Sequence, residues 1–418
     1  MLEPSGVFHY RDGALFCEET AVADIAARAG TPCYVYSRRA ILERFRDYDE
    51  GLGDLPHRIC YSVKANSNVH VLSLLARAGA GFDIVSGGEL FRVLKAGGDP
   101  SGVVFSGVGK TAEEVEYALD AGIFAFNCES EAELALVDDL AARRGVKACV
   151  SLRVNPNVDA GAHPYISTGL REHKFGIDIT EVEGVYERAQ AFRHLATEGV
   201  GCHIGSQILE PTPLLEAADR MLELAHRLRK KGIPIRHLDL GGGLGVRYRP
   251  EDRAPDIRQF AAEIRRRMEG QGLLVLLEPG RSIVGEAGVL LTRVLYRKRT
   301  QSREFVVVDA AMNDLLRPSL YRSHHEILPV RRAARGRIRA DVVGPVCESG
   351  DFLALDRELD DVLPGDLLAV WTAGAYGFVL ASNYNSRPRP PEILVDGSQW
   401  RIIRARETYP DLVRGECP

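Results

Sequence analysis

The sequence predicts a (β/α)8 barrel accompanied by a second, β-rich domain, and three observations carry that prediction. From residue 58 onward, short apolar stretches alternate with helical patterns eight times over about 220 residues, close to the usual size of such a barrel. Polar residues or glycines close nearly every one of those stretches. Beyond about residue 285 the rhythm changes to short strands separated by Gly, Pro and Asp turns. An open doubly wound sheet would share the first observation. The second favours the barrel, because there all the strand ends converge on one face.

The chain begins with a hairpin over residues 7–18, turning at Asp12-Gly13, and a short helix from Thr20 to Ala29 that Gly30 stops. Pro32-Cys-Tyr-Val-Tyr36 reads as extended, and Ser37 caps a helix running to about Tyr48. Barrel strands are expected at 58–63, 81–85, 103–106, 124–127, 148–154, 200–204, 237–240 and 273–277. Helices are expected near 68–78, 87–96, 111–121, 130–144, 180–194, 212–231 and 257–268. Ser67-Asn68 offers the cap of the first of these. Further strands follow at 289–296, 305–309, 337–343, 352–355, 367–371 and 400–406, with one helical pattern at 314–321. This places the barrel at 36–285 and the β-rich domain at 286–418, joined by residues 1–35.

Composition narrows the classes of function. A chain of 418 residues with 45% hydrophobic and 27% charged residues is ordinary globular protein. A net charge of -5 gives no general attraction to nucleic acid or anionic membrane, and the basic runs at 265–267 and 331–339 read as solvated faces. No apolar run approaches the roughly 18 residues a membrane helix needs. The opening Met1-Leu-Glu-Pro-Ser-Gly lacks a basic region leading into an apolar core, so no secretory leader is expected. The eight cysteines (17, 33, 60, 128, 149, 202, 347 and 417) form no C-x-x-C pair. They read as reduced thiols in a cytoplasm, with neither a disulfide framework nor a metal site.

The strand ends carry the chemistry. They are Lys64; Asp83 and Ser86; Ser106; Asn127 and Glu129; Arg153 and Asn155; His203 with Gly205-Ser206; Gly241-Gly242-Gly243; and Glu278-Pro-Gly280-Arg281. The long loop 155–176, with His163, Thr168, Gly169, Lys174 and Gly176, is expected over that face, and its length suggests function. A lysine ending a buried strand is costly as an ammonium, so burial lowers its pKa and makes it a good Schiff-base former. Gly241-Gly-Gly-Leu-Gly245 can bring backbone N–H groups close to an anion, and the loops after strands seven and eight are the usual phosphate site of such barrels. No dinucleotide fingerprint and no Walker lysine is present. A lysine together with a phosphate cradle implies pyridoxal phosphate, whose ring nitrogen needs a partner that keeps it protonated. Glu278 is placed to be that partner, and His203 to stack on the ring.

The motifs Tyr61-Ser-Val-Lys-Ala-Asn66, Asp83-Ile-Val-Ser-Gly-Gly-Glu-Leu90, His203-Ile-Gly-Ser-Gln-Ile208, Gly241-Gly-Gly-Leu-Gly245 and Glu278-Pro-Gly-Arg281 occur in this order. Met312-Asn-Asp-Leu-Leu-Arg-Pro-Ser-Leu-Tyr321, Cys347-Glu-Ser-Gly-Asp351, Gly374-Ala-Tyr376 and Asn383-Tyr-Asn385 follow. Over residues 7–406 the chain resembles the diaminopimelate decarboxylase family, within the alanine-racemase-like class of pyridoxal phosphate enzymes. The departures are small, such as Leu380 where a methionine is common, and none falls on a chemical position.

By that resemblance Lys64 bears the cofactor covalently, while Asp83, His203, Ser206, Gly242, Gly243, Glu278, Gly280, Arg281 and Tyr376 hold it. Cys347 and Glu348 would reach the active site of the other subunit of a head-to-tail homodimer, with Cys347 the acid that returns a proton after carbon dioxide leaves. A thiol with an ordinary pKa of about 8.5 is largely protonated at neutral pH, which suits that role. Arg281, Arg317 and Tyr321 would meet the substrate's distal carboxylate and Glu348 its distal ammonium, since a guanidinium matches a carboxylate fork, and Tyr376 would also contact the substrate. The expected reaction is meso-2,6-diaminopimelate to L-lysine and carbon dioxide. A related decarboxylase for ornithine, arginine, lysine or carboxynorspermidine is the alternative; a cationic tail would want an acid where Arg317 stands. A racemase, or a non-catalytic relative, fits less well with Cys347 and Lys64 both present.

Overall fold

The computed structural model describes residues 6–159 and 175–416, so most of the loop expected at 155–176 (His163, Thr168, Gly169 and Lys174) and Cys417 lie outside the described residues. The chain divides into two compact units, Arg44–Gly245 with Ala254–Ser282, and Met1–Glu43 with Val246–Arg253 and Ile283–Pro418. The sequence reading put boundaries at 36 and 285 and had no reason to detach 246–253. That segment joins the second unit because Tyr248 packs edge-on against His325 at 5.2 Å and Thr372 Oγ1 donates to the Arg247 carbonyl at 3.0 Å.

The first unit is a closed barrel of eight parallel strands: β1 His57–Ser62, β2 Gly81–Ile84, β3 Val103–Phe105, β4 Ala125–Cys128, β5 Ala148–Asn155, β6 Leu195–Cys202, β7 His237–Asp239 and β8 Leu274–Leu277. Each pairs with the next, and β8 pairs with β1 in turn. Closure pairs each of the eight strands on both sides, and most of their residues are buried, polar ones such as Asp83, Asn127 and Asp239 included. Cys60, Val104 and Leu276, with Phe124 and Leu274 against them, fill part of the interior.

The helices between strands start where a short polar side chain can take an orphan N–H. Asn68 accepts from His70 N, Ser86 from Glu89 N, Ser130 from Glu133 N and Asp256 from Gln259 N, while Thr111 and Glu114 form a reciprocal capping box.

The strands expected at 289–296 and 352–355 run on to Arg299 and Asp360, and three other boundaries also differ from expectation. Strand six starts at Leu195 instead of residue 200, because Glu198 is bulged out between Thr197 and Gly199 and interrupts the apolar pattern. The helix expected over 180–194 ends at Ala189. The helix expected over 314–321 is only Arg317–Tyr321, since Asp314 turns back to accept from Ala311 N at 2.9 Å.

The second unit is built on the strand Gly288–Arg299, which pairs antiparallel with Cys33–Ser37, Leu367–Val370 and Glu304–Val308. Arg337–Val343 and Phe352–Asp360 extend the sheet past Glu304–Val308; Glu392–Asp396 and Gln399–Arg404 extend it past Cys33–Ser37. The N-terminal hairpin, Phe8–Arg11 with Ala14–Cys17, turns at Asp12-Gly13 and is tied on by Leu15 N to Val330 O and Arg332 N to Gly13 O, both 2.8 Å. Phe8, Leu15, Ile25, Val289, Leu291, Trp371 and Ile393 form its core. No helix among the described residues is long and apolar enough to cross a membrane.

Candidate active site

The barrel unit gathers Lys64, Asp83, His203, Ser206, Gly242, Gly243, Glu278, Gly280 and Arg281 at the C-terminal ends of its strands. Lys64 stands on a short 3-10 turn, Val63–Ala65, immediately after β1. Its Nζ donates to Asp83 Oδ2 at 2.5 Å, and Ser62 Oγ donates to the same oxygen at 2.7 Å. Asp83 is fully buried while the lysine side chain keeps about a third of its surface, so a fixed acid anchors a partly accessible lysine. Ser62 N also donates to Pro279 O at 3.1 Å, which locks the end of β1 to the turn after β8.

The glycines make a backbone cradle. A Cβ at Gly242 would lie 2.2 Å from the Glu278 carbonyl, and one at Gly243 (φ +117°) would lie 2.6 Å from the Gly205 carbonyl. Only glycine permits the backbone to come this close and to adopt this angle. Ile208 N donates to Gly243 O at 3.0 Å and Gly245 N to Ile208 O at 2.9 Å, so the loops after β6 and β7 are zipped together. Arg281 reaches Ser206 Oγ from Nη2 at 3.1 Å, which brings cation, hydroxyl and glycine N–H groups to one place. That is the donor set a phosphate needs.

His203 Nδ1 accepts from Gly242 N at 3.2 Å, and burial, followed by the charges of Arg153 and Lys64, holds its ring well below the usual histidine range. A ring held in this range favours the neutral imidazole. Glu278 is 6% exposed. Burial first, then the nearby Asp239 and Asp83 carboxyls, push its own carboxyl well above the usual range.

Sequence reasoning missed the groups behind Glu278. Asn127 Nδ2 donates to Glu278 Oε1 at 3.2 Å, to Asp239 Oδ2 at 2.9 Å and to Ser106 Oγ at 3.1 Å. Asn127 and Ser106 stood out only as strand ends. Asp239 offered one signal, an acid inside the apolar pattern of His237-Leu-Asp239-Leu.

The second unit brings together Arg317, Tyr321, Cys347 and Glu348. Arg317 is buried, with its guanidinium 5.0 Å from the Tyr248 ring centre and 5.8 Å from that of Tyr321. Ser319 Oγ donates to Gly350 O at 2.6 Å, tying this helix to the Cys347–Asp351 loop. Asp351 shapes that loop by accepting from Val346 N and Met312 N, each at 2.7 Å. Cys347 and Glu348 are exposed, yet both are held: Cys347 N donates to Asn385 Oδ1 at 2.9 Å, and Tyr384 Oη donates to Glu348 Oε2 at 2.7 Å. Tyr376 is half-buried in the left-handed conformation at φ 55°.

A primary amine at a strand end, a phosphate-sized glycine cradle with an arginine, and a buried acid across the same barrel mouth fit pyridoxal phosphate. The comparisons agree. Residues 38–285 match the model of the family described as pyridoxal-dependent decarboxylase, pyridoxal binding domain. A Pseudomonas aeruginosa diaminopimelate decarboxylase is 57% identical over 409 residues, 98% of each chain, and one from Vibrio cholerae is 51% identical over 97% of each. The crystal structure of diaminopimelate decarboxylase from Helicobacter pylori complexed with L-lysine superposes with a TM-score of 0.90 at 43% identity, covering 94% of this chain and 98% of that one.

Fold and site thus define a pyridoxal phosphate-dependent carboxy-lyase with a barrel and a β-rich domain. Within that class the chain belongs to the diaminopimelate decarboxylase family.

Proposed function

We propose that the chain decarboxylates meso-2,6-diaminopimelate to L-lysine and carbon dioxide in the cytoplasm, as a homodimer whose active sites draw residues from both copies. Pyridoxal phosphate, when bound, supplies the aldehyde that captures the substrate amine and the ring that withdraws electrons from the carbon losing its carboxylate. Lys64 Nζ is the attachment point, steadied by Asp83. Ser206, Gly242, Gly243, Gly280, Arg281 and Tyr376 take the phosphate end, Glu278 faces the ring nitrogen, and His203 backs the ring. Arg317 and Tyr321, with Arg281 and Tyr376, receive the distal carboxylate, and Glu348 of the second copy the distal ammonium. Cys347 of that copy returns the proton: its S–H bond breaks as a C–H bond forms on the carbon that held the carboxylate.

The observation that supports this choice of substrate most directly is Arg317, a buried guanidinium fixed over Tyr321, while Glu348 stands exposed and available to a second copy. A substrate end carrying both a carboxylate and an ammonium matches that pair; a tail that is only cationic leaves the arginine repelled. The test is carbon dioxide release from the purified protein with pyridoxal phosphate, scanned against meso-diaminopimelate, ornithine, arginine and lysine. We expect kcat/KM for meso-diaminopimelate to exceed the others by about 100-fold or more, the worth of about 3 kcal/mol of buried charge recognition. Comparable turnover of ornithine or lysine would overturn the assignment.

A further inference from the structure

Behind Glu278 the barrel closes over a second carboxyl that the proposed reaction does not use. Asp239 ends β7 and is 2% exposed, and the Asn127 amide nitrogen that donates to it also donates to Glu278, so one side chain holds the two buried carboxyls together. Two buried carboxyls drawn together on one donor favour sharing a proton, because two neighbouring ions would repel in a poorly screening interior. The surroundings supply little relief. Asn127 Nδ2 reaches both acids, at 2.9 and 3.2 Å, and Gly241 N donates to Asp239 Oδ1 at 2.9 Å. The other charged or titratable groups facing the pair are Asp83, the Lys64 ammonium, which is already bound to Asp83, and the Cys60 and Cys202 thiols. One cation shared with a third acid cannot neutralise two more. The Asn127 amide is turned so that its nitrogen faces three oxygens while its Oδ1 is buried without a partner among the described residues. Holding the two acids together therefore outweighs satisfying that oxygen.

We propose that Asp239 is a positioning residue for Glu278: with Asn127 it fixes the Glu278 carboxyl and shares one proton with it, forming a buried acid pair in place of a single carboxylate. A lone Glu278 would release its proton more readily. With Asp239 behind it, Glu278 binds a proton, or a protonated ring nitrogen, more tightly, because a fixed negative charge sits within hydrogen-bond reach in a medium that screens it poorly. This deepens the assignment of Glu278 to the ring nitrogen and rests on it for its catalytic consequence. The acid pair itself rests only on the barrel.

The experiment uses the cofactor-free chain. Its infrared spectrum at pH 7, taken as the difference from Glu278→Gln so that the Glu89 and Asp314 carboxyls cancel, should contain a neutral carboxylic acid carbonyl band. In Asp239→Asn that band should titrate about one pH unit lower or more, since the neighbouring charge is gone. Asparagine can still accept from Gly241 N through its oxygen, and the Asn127 amide can flip to meet it. Asp239→Asn should also weaken pyridoxal phosphate binding by about 10-fold, read from cofactor absorbance. In the loaded enzyme it should lower kcat by about 10-fold with KM for the amino acid within 2-fold. A band in Asp239→Asn titrating as in the parent chain, with unchanged cofactor affinity, would overturn the proposal. Should either variant fail to fold, the parent chain still decides: no neutral carboxyl band remaining about two pH units above the Glu89 and Asp314 values near 7 means no shared proton. Loss of the band alongside intact diaminopimelate turnover sinks only the acid pair. A band present without turnover sinks only the substrate assignment.

Discussion

The residues of the barrel and those of the β-rich unit are presented in opposite ways. Asp83, Asp239 and Glu278 are desolvated on rigid strand ends, and burial raises the carboxyls of Asp239 and Glu278. Cys347 and Glu348 lie exposed on a loop, and their hold comes from Asn385, Tyr384 and Asp351. Fixed charge in a poorly screening interior is suited to stabilising charge on a reacting ring. An exposed thiol kept in place from behind is suited to meeting a surface that another molecule provides. The first set is held by the barrel strands alone; the second is held from behind and left exposed, as the proposed shared active site would require of each subunit.

Lys64→Ala should break the first region outright. Loss of the attachment amine removes covalent capture, so activity should fall by more than ~10⁴-fold, beyond the 10²–10⁴ that proton transfer contributes. Borohydride reduction should then no longer tag the chain with the cofactor. Cys347→Ala tests the second region: kcat should drop about 10²–10⁴-fold while borohydride tagging of Lys64 stays normal. Mixing the two variants sharpens the comparison. Random pairing makes half the dimers mixed, each with one intact site of two, so about a quarter of full activity should return. No return after efficient exchange would confine each active site to one chain.

A smaller effect is expected from Arg317→Ala, about 10- to 100-fold in KM for meso-diaminopimelate, the value of one charge-assisted contact. Cofactor affinity should hold; equal loss of both would make the arginine structural. The smallest effect concerns Asp314, whose carboxyl burial pushes up to about 7. The folded chain keeps that proton where the unfolded chain, with a value near 4, has released it. The stabilisation is therefore complete below pH ~4 and is lost as pH rises through 7. Asp314→Asn, which can still accept from Ala311 N, should flatten that part of the pH dependence of the melting temperature by a few degrees. An unchanged profile would mean that other groups set it.

Much of this molecule was legible in order because its signals are local. The strand-to-turn position of Lys64, the glycine run and the Asp12-Gly13 turn each announce themselves within a few residues. What escaped depended on partners far along the chain. The Asn127–Asp239 contact spans 112 residues and exists only because barrel closure brings β4 and β7 to the same centre. The strand Glu392–Asp396 follows Arg387-Pro-Arg-Pro-Pro391, which reads as loop; its pairing with Cys33–Ser37 is a tertiary fact with no local trace. Strand six lost its start to one bulged residue, Glu198, which a period-two pattern cannot accommodate.

The zipper between Ile208 and the Gly243–Gly245 backbone has a thermodynamic consequence. Because those hydrogen bonds are made within the chain itself, the order of the anion-binding turn does not depend on contacts to a phosphate, and loading need not spend conformational entropy on freezing a loop. Capture of the phosphate should therefore proceed at a rate set by diffusion and charge, with little dependence on the slower motions of the chain.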